Sequence, residues 1–269
     1  MRCRANQFLL FADESDGLPI SCPGQMLFDL RHTAFRSLRD VGLFLTSARS
    51  DARLLTLRKQ TSCALAFDRL YSDAPRNDPW AATLPQYQYQ RRKYDALVRL
   101  LPKPSYRRAL DLGCGLGLLT ERLAGIAEQV VGIDISAVAI QCAAERIRAL
   151  KNVQLRQGDI MRLGAELDAS FDLIVVADII YYLPPPILDS VLKSLADRIA
   201  RLLTPDGVVM LVNHYFPIPN QETRLTRRIH RAFQWSTALN LLAEHRRAFF
   251  LVSLLGRSSC PEAPPAAVA

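Results

Sequence analysis

The sequence has no apolar run long enough to cross a lipid bilayer. A membrane-spanning helix needs about 20 apolar residues in a row, whereas the most apolar stretch, 173–183, is far shorter and contains Asp178. The apolar cluster at residues 8–12 is followed at once by Asp13 and Glu14, which is not typical of a secretory signal. We therefore expect no membrane partner, and we interpret 173–183 as a buried strand.

The cysteine patterns of disulfide frameworks and zinc sites are also absent. The six cysteines form no CxxC pair and show no regular spacing, so we expect free thiols in the reducing cytoplasm. His32, His230 and His245 lack partners at metal-ligand spacing, and we predict no metal site. A P-loop and a Ser-His-Asp arrangement are missing too.

Basic residues are in moderate excess. The 269 residues include 34 Lys and Arg against 26 Asp and Glu, a net charge of +8, with 49% hydrophobic and 22% charged residues. Length and composition are those of one globular domain, alone or with an extension.

Most of the positive excess lies in residues 214–260. The charged residues there are Arg224, Arg227, Arg228, Arg231, Arg246, Arg247 and Arg257, with Glu222 and Glu244. Because the rest of the chain is nearly balanced, a nucleic-acid partner is disfavoured. A solvated helix face and the border of an acceptor site both fit this basic segment. If the basic segment borders the acceptor site, its positive charge suits an anionic acceptor.

Strands and helices alternate regularly from residue 109 onward. The pattern predicts strands at 109–112, 129–133, 153–156, 171–177 and 208–213, and helices at 118–124, 137–150 and 187–203, with a turn at 204–207. Amphipathic helices are also predicted over 32–45 and 87–101. This order predicts an α/β fold: a Rossmann-like, doubly wound, mostly parallel sheet with helices on both faces.

The same pattern divides the chain into regions. Residues 1–74 have no chemical motif, and we interpret them as an N-terminal extension. An accessory subdomain and a translation start placed too early, with Met26 as an internal methionine, both fit this region. Residues 75–257 are predicted to be the chemical domain, and the tail 258–269, rich in Pro and Ala, is predicted to be disordered.

The strongest chemical signal is the glycine-rich segment 110–117, between the first predicted strand and the following helix. Its spacing is GxGxG, at Gly113, Gly115 and Gly117, whereas dinucleotide-binding loops favour GxGxxG. Asp111 precedes the glycines, and a carboxylate there repels a pyrophosphate and attracts an ammonium group. S-adenosylmethionine carries an ammonium, a sulfonium and no phosphate, so the loop favours this cofactor.

Further acids follow the next two strands. Asp134 ends the second predicted strand, where a carboxylate can accept both ribose hydroxyls of a nucleotide. Asp159 follows the third strand, where the amine of adenine needs an acceptor. Ligands of such sheets bind at the carboxyl ends of the strands. The alternative is that these acids cap loops and that the glycines only make turns.

Together these residues resemble the class I methyltransferase family, over about residues 79–212. The resemblance implies methyl transfer from S-adenosylmethionine, with S-adenosylhomocysteine as the product. It also implies the cofactor contacts: Asp111, Gly113, Cys114, Gly115 and Gly117 around the methionine part, Asp134 and Ile135 at the ribose, and Asp159 and Ile160 at the adenine.

Other segments are similar to the nodulation-protein-S family of methyltransferases. They are 78–80, 89–95 and 179–183. That family methylates the free amine of a chitin-oligosaccharide backbone, so the resemblance implies an amine on a small molecule or oligosaccharide as the acceptor. It also implies a lid over the cofactor that carries Trp80, Tyr89 and Lys93. Core packing of Trp80 and Tyr94 is the alternative.

Methyl transfer is an in-line displacement, and an amine acceptor must be neutral to attack. Asp178, Tyr181 and His214 are the catalytic candidates, because the fourth and fifth strands end beside the expected position of the methyl group. Tyr182 would extend an aromatic wall for the acceptor. The alternatives are a helix cap for Asp178, core packing for the tyrosines and a surface position for His214.

The sequence is also compatible with other functions. Ala177-Asp178-Ile179-Ile180 stands where base-amine methyltransferases have Asn/Asp-Pro-Pro-Tyr/Phe, which argues against a nucleic-acid acceptor. A different small molecule or an RNA is the alternative acceptor. The non-enzyme alternative is a degenerate cofactor-binding module, and the intact glycine loop with its acids argues against it.

Overall fold

The computed structural model describes residues 39–216, 220–247 and 249–258. The first part of the predicted helix 32–45 and nearly all of the predicted tail 258–269 lie outside these residues.

Seven strands form one sheet in the order β3-β2-β1-β4-β5-β7-β6. They are β1 (Tyr106–Leu112), β2 (Ala127–Asp134), β3 (Val153–Gln157), β4 (Phe171–Ala177), β5 (Leu203–His214), β6 (Leu239–Arg246) and β7 (Phe250–Arg257). Strands β1 to β5 pair in parallel, and β7 pairs antiparallel with both β5 and β6. The strand order changes direction between β1 and β4, so the predicted doubly wound, mostly parallel fold is confirmed.

The α-helices of the described residues surround this sheet. They are α1 (Arg39–Arg58), α2 (Cys63–Asp73), α3 (Tyr89–Leu100), α4 (Leu118–Leu123), α5 (Ala137–Arg146), α6 (Asp189–Leu202) and α7 (Gln221–Gln234). Short 3-10 helices occur at Pro75–Asn77, Ile160–Arg162, Ala165–Leu167 and Ile180–Tyr182. In α6 the buried Leu192, Leu195 and Ile199 recur at helical spacing, which is the pattern of a helix packed on a sheet.

Apolar clusters cover both faces of the sheet. On one face, α6 and α7 bring Ile199 and Phe233 against Ile174 of β4. On the other face, α3 and α4 contribute Leu97 and Leu123. Helices therefore lie on both faces, as predicted, and the strand ends are left free to build a site.

The predicted turn 204–207 lies within β5 rather than before it. Phe171 is in register with Leu203 and Leu173 with Val208, so the residues between Leu203 and Val208 bulge out of the ladder. The strand therefore begins earlier than the predicted 208. The prediction was wrong here because Thr-Pro-Asp-Gly is typical of a turn that separates two elements.

Helix α5 is shorter than the predicted 137–150. Its last turn closes at Ile147, whose backbone leaves the helical region with φ −100° and ψ 15°. Leu150 N then donates to the carbonyl of Ile147 at 2.8 Å and forms a turn. Helix α6 is likewise shorter than the predicted 187–203, because it begins at Asp189 and ends at Leu202.

Strands β6 and β7 were not predicted from the sequence. The register of β6 against β7 shifts between Leu241 and Ala243, which interrupts the period-two alternation that identifies a strand. Strand β7 is buried along nearly its whole length, so its apolar run shows no alternation either. We call β6 and β7 the antiparallel arm. Of the arginines in the basic segment 214–260, Arg246 lies in β6 and Arg257 lies in β7.

Helices α1 and α2 pack at the carboxyl edge of the sheet. They lie within region 1–74, which the sequence analysis assigned to an N-terminal extension. Leu54 of α1 and Phe67 of α2 are buried in one cluster with Leu116 and Ala139. The packed body of the protein therefore includes both helices.

Among the described residues, no helix is long and apolar enough to cross a membrane. Cys63, Cys114 and Cys142 are free thiols, and the other cysteines lie outside the described ranges. No group of three or more His, Cys, Asp or Glu in the described part of the chain could hold a metal ion.

Candidate functional site

A cavity of about 370 Å³ lies at the carboxyl ends of the parallel strands. Its wall includes Gly113 after β1, Asp134 at the end of β2, Asp178 after β4 and His214 at the end of β5. Helices α1 and α2 complete the wall from the other side. Strand ends of this kind form the ligand crevice of doubly wound sheets.

Most of the predicted site residues line this cavity. They are Trp80, Gly113, Cys114, Gly115, Asp134, Ile135, Asp159, Ile160, Asp178, Tyr181 and His214. The predicted residues that do not line it are Tyr89, Lys93, Asp111 and Gly117.

The glycine loop needs residues without a side chain at the wall. Gly113 has φ +72°, and an added Cβ would lie 2.2 Å from Cγ2 of Ile179. Gly115 has φ +50°, a region that L side chains rarely adopt. Gly113 and Cys114 donate their backbone N–H groups to the carbonyl of Ile133 at 2.8 and 3.1 Å, so β2 holds the loop in place.

The Asp134 carboxylate is held by backbone hydrogen bonds at the cavity wall. Gly115 N donates to Oδ2 at 2.8 Å and Ser136 N donates to Oδ1 at 2.9 Å. Burial raises the pKa of Asp134, and these hydrogen bonds act in the opposite direction. The carboxylate is thus fixed in position, and each oxygen can still accept a bond from a ligand.

Asp111 and Gly117 lie behind the loop rather than on the wall. Asp111 is only 2% exposed and accepts a hydrogen bond from Oγ1 of Thr120 at 2.6 Å. Burial raises its pKa to about 6. Gly117 precedes α4 in a left-handed conformation with φ 76°. Both residues support the loop from within, because the loop turns its other side to the cavity.

Asp159 stands at the rim of the cavity and also caps a short helix. Its Oδ1 accepts from Met161 N at 2.9 Å, at the start of the 3-10 helix Ile160–Arg162. Its Oδ2 lies 3.9 Å from Nε of the exposed Arg162. The loop-capping alternative therefore describes part of what Asp159 does, and its place on the wall leaves it accessible to a ligand.

An aspartate of α1 joins two aromatic residues of the wall. Trp80 Nε1 and Tyr182 Oη donate to the same Oδ1 of Asp51, at 3.1 and 2.8 Å. The ring centroids of Trp80 and Tyr71 are 5.6 Å apart. The loop of Trp80 is itself held by Asp78, whose carboxylate accepts from the backbone N–H groups of Ala82 and Thr83.

The wall residues that α1 and α2 supply were not predicted from the sequence. They are Ser47, Cys63, Phe67 and Tyr71. The signal that could have found them is the amphipathic run 63–73 behind the N-cap Ser62, with buried aromatics four residues apart. Without a partner surface, such a run does not reveal what it packs against.

Asp178, Tyr181 and His214 come together at one end of the cavity. Asp178 has φ 57°, and its N–H donates to the carbonyl of Val212 at 2.8 Å. The Tyr181 Oη lies 3.0 Å from His214 Nδ1, and Asp178 Oδ1 lies 3.7 Å from the same nitrogen. The His214 side chain is 30% exposed, so it is neither a free surface residue nor fully enclosed.

The environment sets different charge states for these groups. Burial would raise the pKa of Asp178, but His214 and Lys93 outweigh it and hold the pKa below the usual 3.8. Burial lowers the pKa of His214 below 6.5, and Asp178 opposes this effect while Lys93 adds to it. Burial also raises the pKa of Tyr181 well above 10. At neutral pH the site therefore presents a carboxylate, a neutral imidazole and a neutral phenol.

Tyr89 and Lys93 do not reach the cavity. Both lie on the buried side of α3, which packs in the core behind the wall. Tyr89 packs against Phe44 and Phe249, with ring centroids 5.7 and 6.1 Å apart. Lys93 contacts the site indirectly, because its ammonium pairs with Asp178. Tyr94, by contrast, lines the cavity.

Comparison with known proteins agrees with this geometry. The methyltransferase-domain family matches residues 105–248 of the 269-residue chain. The ubiquinone biosynthesis O-methyltransferase of Alkalilimnicola ehrlichii is 32% identical over 136 residues, which are 49% of this chain and 52% of that protein. Nodulation protein S of Sinorhizobium fredii is 26% identical over 139 residues, which are 51% of this chain and 61% of that protein. The chain thus spans about half to three fifths of these relatives.

A solved structure shows the same fold. The N-methyltransferase NodS from Bradyrhizobium japonicum WM9, in complex with S-adenosyl-L-homocysteine, aligns with a TM-score of 0.56 and 20% identity, over 79% of this chain and 98% of that chain. The predicted resemblance to nodulation protein S is thereby confirmed. Because the family match covers more than half of the sequence, the chain belongs to the methyltransferase-domain family.

Proposed function

We propose that the chain is a methyltransferase that uses S-adenosylmethionine, bound in the 370 Å³ cavity. Family membership and the class I fold support this cofactor. The charge of the wall carries the proposal: Asp78, Asp134, Asp159 and Asp178 line it, against Arg162 as the one guanidinium among its described residues. A wall of this sign attracts an ammonium and a sulfonium, and it repels the phosphates of a dinucleotide.

The wall residues divide along the length of this cofactor. In the proposed complex, the backbone of Gly113, Cys114 and Gly115 borders the methionine part. Asp134 accepts from the ribose hydroxyls, since its two backbone hydrogen bonds already fix its orientation. Asp159 accepts from the adenine amine, and Ile135 and Ile160 provide apolar contact beside the two carboxylates.

We propose an amine as the methyl acceptor. Asp178 Oδ1 is buried and has no hydrogen-bond partner among the described residues, although Asp178 lines the cavity. An unpaired buried carboxylate oxygen is costly, and an acceptor that donates an N–H to it would remove that cost. The excess of carboxylates over basic side chains on the wall also favours an amine, which arrives protonated.

The proposed mechanism assigns a role to each group at this end of the cavity. When bound in the cavity, S-adenosylmethionine would supply the methyl group, with a neutral thioether as the leaving group. Asp178 orients the acceptor, and His214 takes its proton because the imidazole is neutral at pH 7. Tyr181 fixes the ring of His214 through its hydroxyl. Holding both reactants in line can contribute about 7–11 kcal/mol, and α1 and α2 shield the step from water.

The likeness to nodulation protein S supports an amine on a small molecule or an oligosaccharide. The other relative favours a second candidate, because it is named an O-methyltransferase and is 32% identical over its match. His214 could equally take the proton of a hydroxyl acceptor. A cytoplasmic location stays a prediction.

Calorimetry tests the cofactor proposal. We expect the native protein to bind S-adenosylmethionine and Asp134→Asn to bind it at least tenfold more weakly, because the amide cannot accept from both backbone N–H groups. Asp206→Asn is the matched control, because Asp206 borders a different pocket, near the start of β5. Absence of binding by the native protein would refute the proposal.

Transfer of a tritiated methyl group tests the acceptor. Deacetylated chitin oligomers, simple amines, phenols and tRNA would be compared under one set of conditions. Label on amines but not on phenols supports the proposed acceptor. Label on phenols alone selects the second candidate, and label on tRNA alone overturns both.

A further inference from the structure

Lys93 is a fully buried cation beside the proposed reaction centre. Its side chain has no exposed surface, and its ammonium pairs with Oδ2 of Asp178. The same ammonium lies 5.3 Å from the centroid of the Phe250 ring, where β7 begins. A buried lysine is rare unless it is paired. The charge of Lys93 is therefore balanced by the ionised carboxylate of Asp178.

The two oxygens of Asp178 face different groups. Oδ2 is held by Lys93, whereas Oδ1 is 3.7 Å from His214 Nδ1 and has no hydrogen-bond partner among the described residues. Lys93 therefore fixes the rotation of the carboxylate, and this rotation decides which oxygen is offered to the acceptor.

We propose that Lys93 is a positioning residue that acts through Asp178: it takes the place of a proton that the buried pair of Asp178 and His214 would otherwise bind. This inference rests on the proposed function of His214 as the group that accepts a proton. With Lys93 present, the carboxylate is already neutralised. The imidazole therefore stays unprotonated and able to act.

The surroundings of His214 support this role. The charged or titratable groups that face it in the described chain are Asp178 from the end of β4, Lys93 from α3, Asp51 from α1 and Tyr181 from the 3-10 helix Ile180–Tyr182. Asp178 and Asp51 favour the imidazolium, while Lys93 and burial oppose it. Removal of Lys93 leaves Asp178 without the cation that pairs with it, and the coupled pair of Asp178 and His214 then takes up a proton at higher pH.

The test measures the shift caused by Lys93→Met in two backgrounds: Lys93→Met against the native protein, and the double variant Lys93→Met/Asp178→Asn against Asp178→Asn alone. NMR of ¹⁵N-labelled histidine follows the titration of each imidazole directly. The chain has only four histidines, so the signal of His214 can be assigned as the one that is lost in His214→Gln. We expect the titration midpoint of His214 or of its pair with Asp178 to rise by about one pH unit or more in Lys93→Met. In the double variant the shift should be much smaller, because no carboxylate remains to share the proton.

Activity gives a second measurement. The acid limb of kcat/KM should move to higher pH in Lys93→Met by the same amount, while the affinity for S-adenosylmethionine changes less than about twofold. The histidine titration needs no methyl transfer, so a failure of the proposed acceptor does not obscure it. Should Lys93→Met fail to fold, Lys93→Gln makes the same comparison, because its amide can donate to Asp178 without carrying a charge.

Two results would overturn the inference. A native His214 titration in the folded Lys93 variant would show that Lys93 only fills space. An equal shift in the single and the double variant would show that Lys93 acts on His214 directly and not through Asp178.

Discussion

Gly113 has a left-handed backbone and no space for a side chain. Alanine there must keep a strained φ, which costs roughly 1–2 kcal/mol. It must also displace Ile179, whose Cγ2 would lie 2.2 Å from the added Cβ, and overpacking costs about 1–3 kcal/mol. We expect Gly113→Ala to lower the free energy of unfolding in urea by about 2–4 kcal/mol.

The same substitution should weaken S-adenosylmethionine binding at least tenfold, because the loop lines the cavity and borders the cofactor in the proposed complex. Gly125→Ala is the matched control, since its Cβ would meet the carbonyl oxygen of Arg122 at 3.4 Å, an ordinary contact. If both variants keep the native stability and affinity, the described loop geometry is incorrect.

At the other end of the cavity, His214→Gln keeps a polar side chain and removes the proposed base. We expect kcat to fall about 10²–10⁴-fold while calorimetry finds the cofactor affinity nearly unchanged. Because the pKa of His214 is held below 6.5 by burial, the acid limb of native kcat/KM should lie below pH 6.5.

His245→Gln serves as the control for that experiment, because His245 lies on β6 and does not line the cavity. An acid limb that persists unchanged in His214→Gln would assign the titrating group to another residue.

At the scale of elements, α1 reaches the wall through Asp51, which accepts from both Trp80 and Tyr182. Hydrogen bonds to a charged group contribute about 1.5–3 kcal/mol. Asp51→Ala should therefore raise the Kd for S-adenosylmethionine about tenfold or more, since about 1.4 kcal/mol corresponds to a factor of ten. Trp80 fluorescence, measured with Trp235 replaced by Phe, reports the binding.

Asp73→Ala is the comparison for the same pair of helices. It breaks the exposed ion pair between Arg53 and Asp73, and such pairs contribute about 0–1 kcal/mol. Equal effects of the two substitutions would mean that general loosening of α1 and α2, and not the link to the wall, controls binding.

The elements also differ in how far the sequence could predict them. Strands β1, β2 and β4 were predictable because each has a local apolar run and a predicted helix after it, and the glycine loop marks the first crossover. Strand β3 followed from its place in this alternation, since its own sequence alternates polar and apolar residues. The antiparallel arm was not, because the register shift at β6 hides its alternation. The packing of α1 and α2 over the cavity was not predictable either, since an amphipathic sequence does not show which surface the helix packs against.

The residues of the site likewise divide into contacts that the sequence could predict and contacts that it could not. Asp134 and Gly115 lie 19 residues apart, within one βαβ unit, and the fold class alone brings them together. Lys93 and Asp178 are separated by 85 residues and meet only because α3 packs under the end of β4. A charge that appears exposed in a polar helix sequence thus becomes buried through long-range packing.

At the scale of the whole molecule, a buried histidine links stability to pH. His230 is 1% exposed, and burial lowers its pKa to about 3. The unfolded chain binds a proton at this residue near pH 6.5, so its contribution to stability is full above that pH and is lost as the pH falls toward 3. One pKa unit corresponds to about 1.36 kcal/mol.

Urea unfolding between pH 7 and pH 5 checks this link. We expect His230 to account for a loss of about 2 kcal/mol over this range, and His230→Gln should remove most of that slope. His245→Gln is the comparison: burial and Arg247 lower the pKa of His245 as well, but this residue is only half-buried, so the substitution should remove a smaller part of the slope. A slope that His230→Gln leaves intact would place the titrating groups elsewhere.

The single oxygen of Asp51 that receives both Trp80 and Tyr182 has a kinetic consequence. In the proposed complex, α1 and α2 cover the cofactor, so we expect its release to require separation of both donors from that oxygen, and such opening steps often limit turnover. Rapid mixing should then show one fast methyl transfer per protein molecule, followed by a slower steady rate set by release of the thioether.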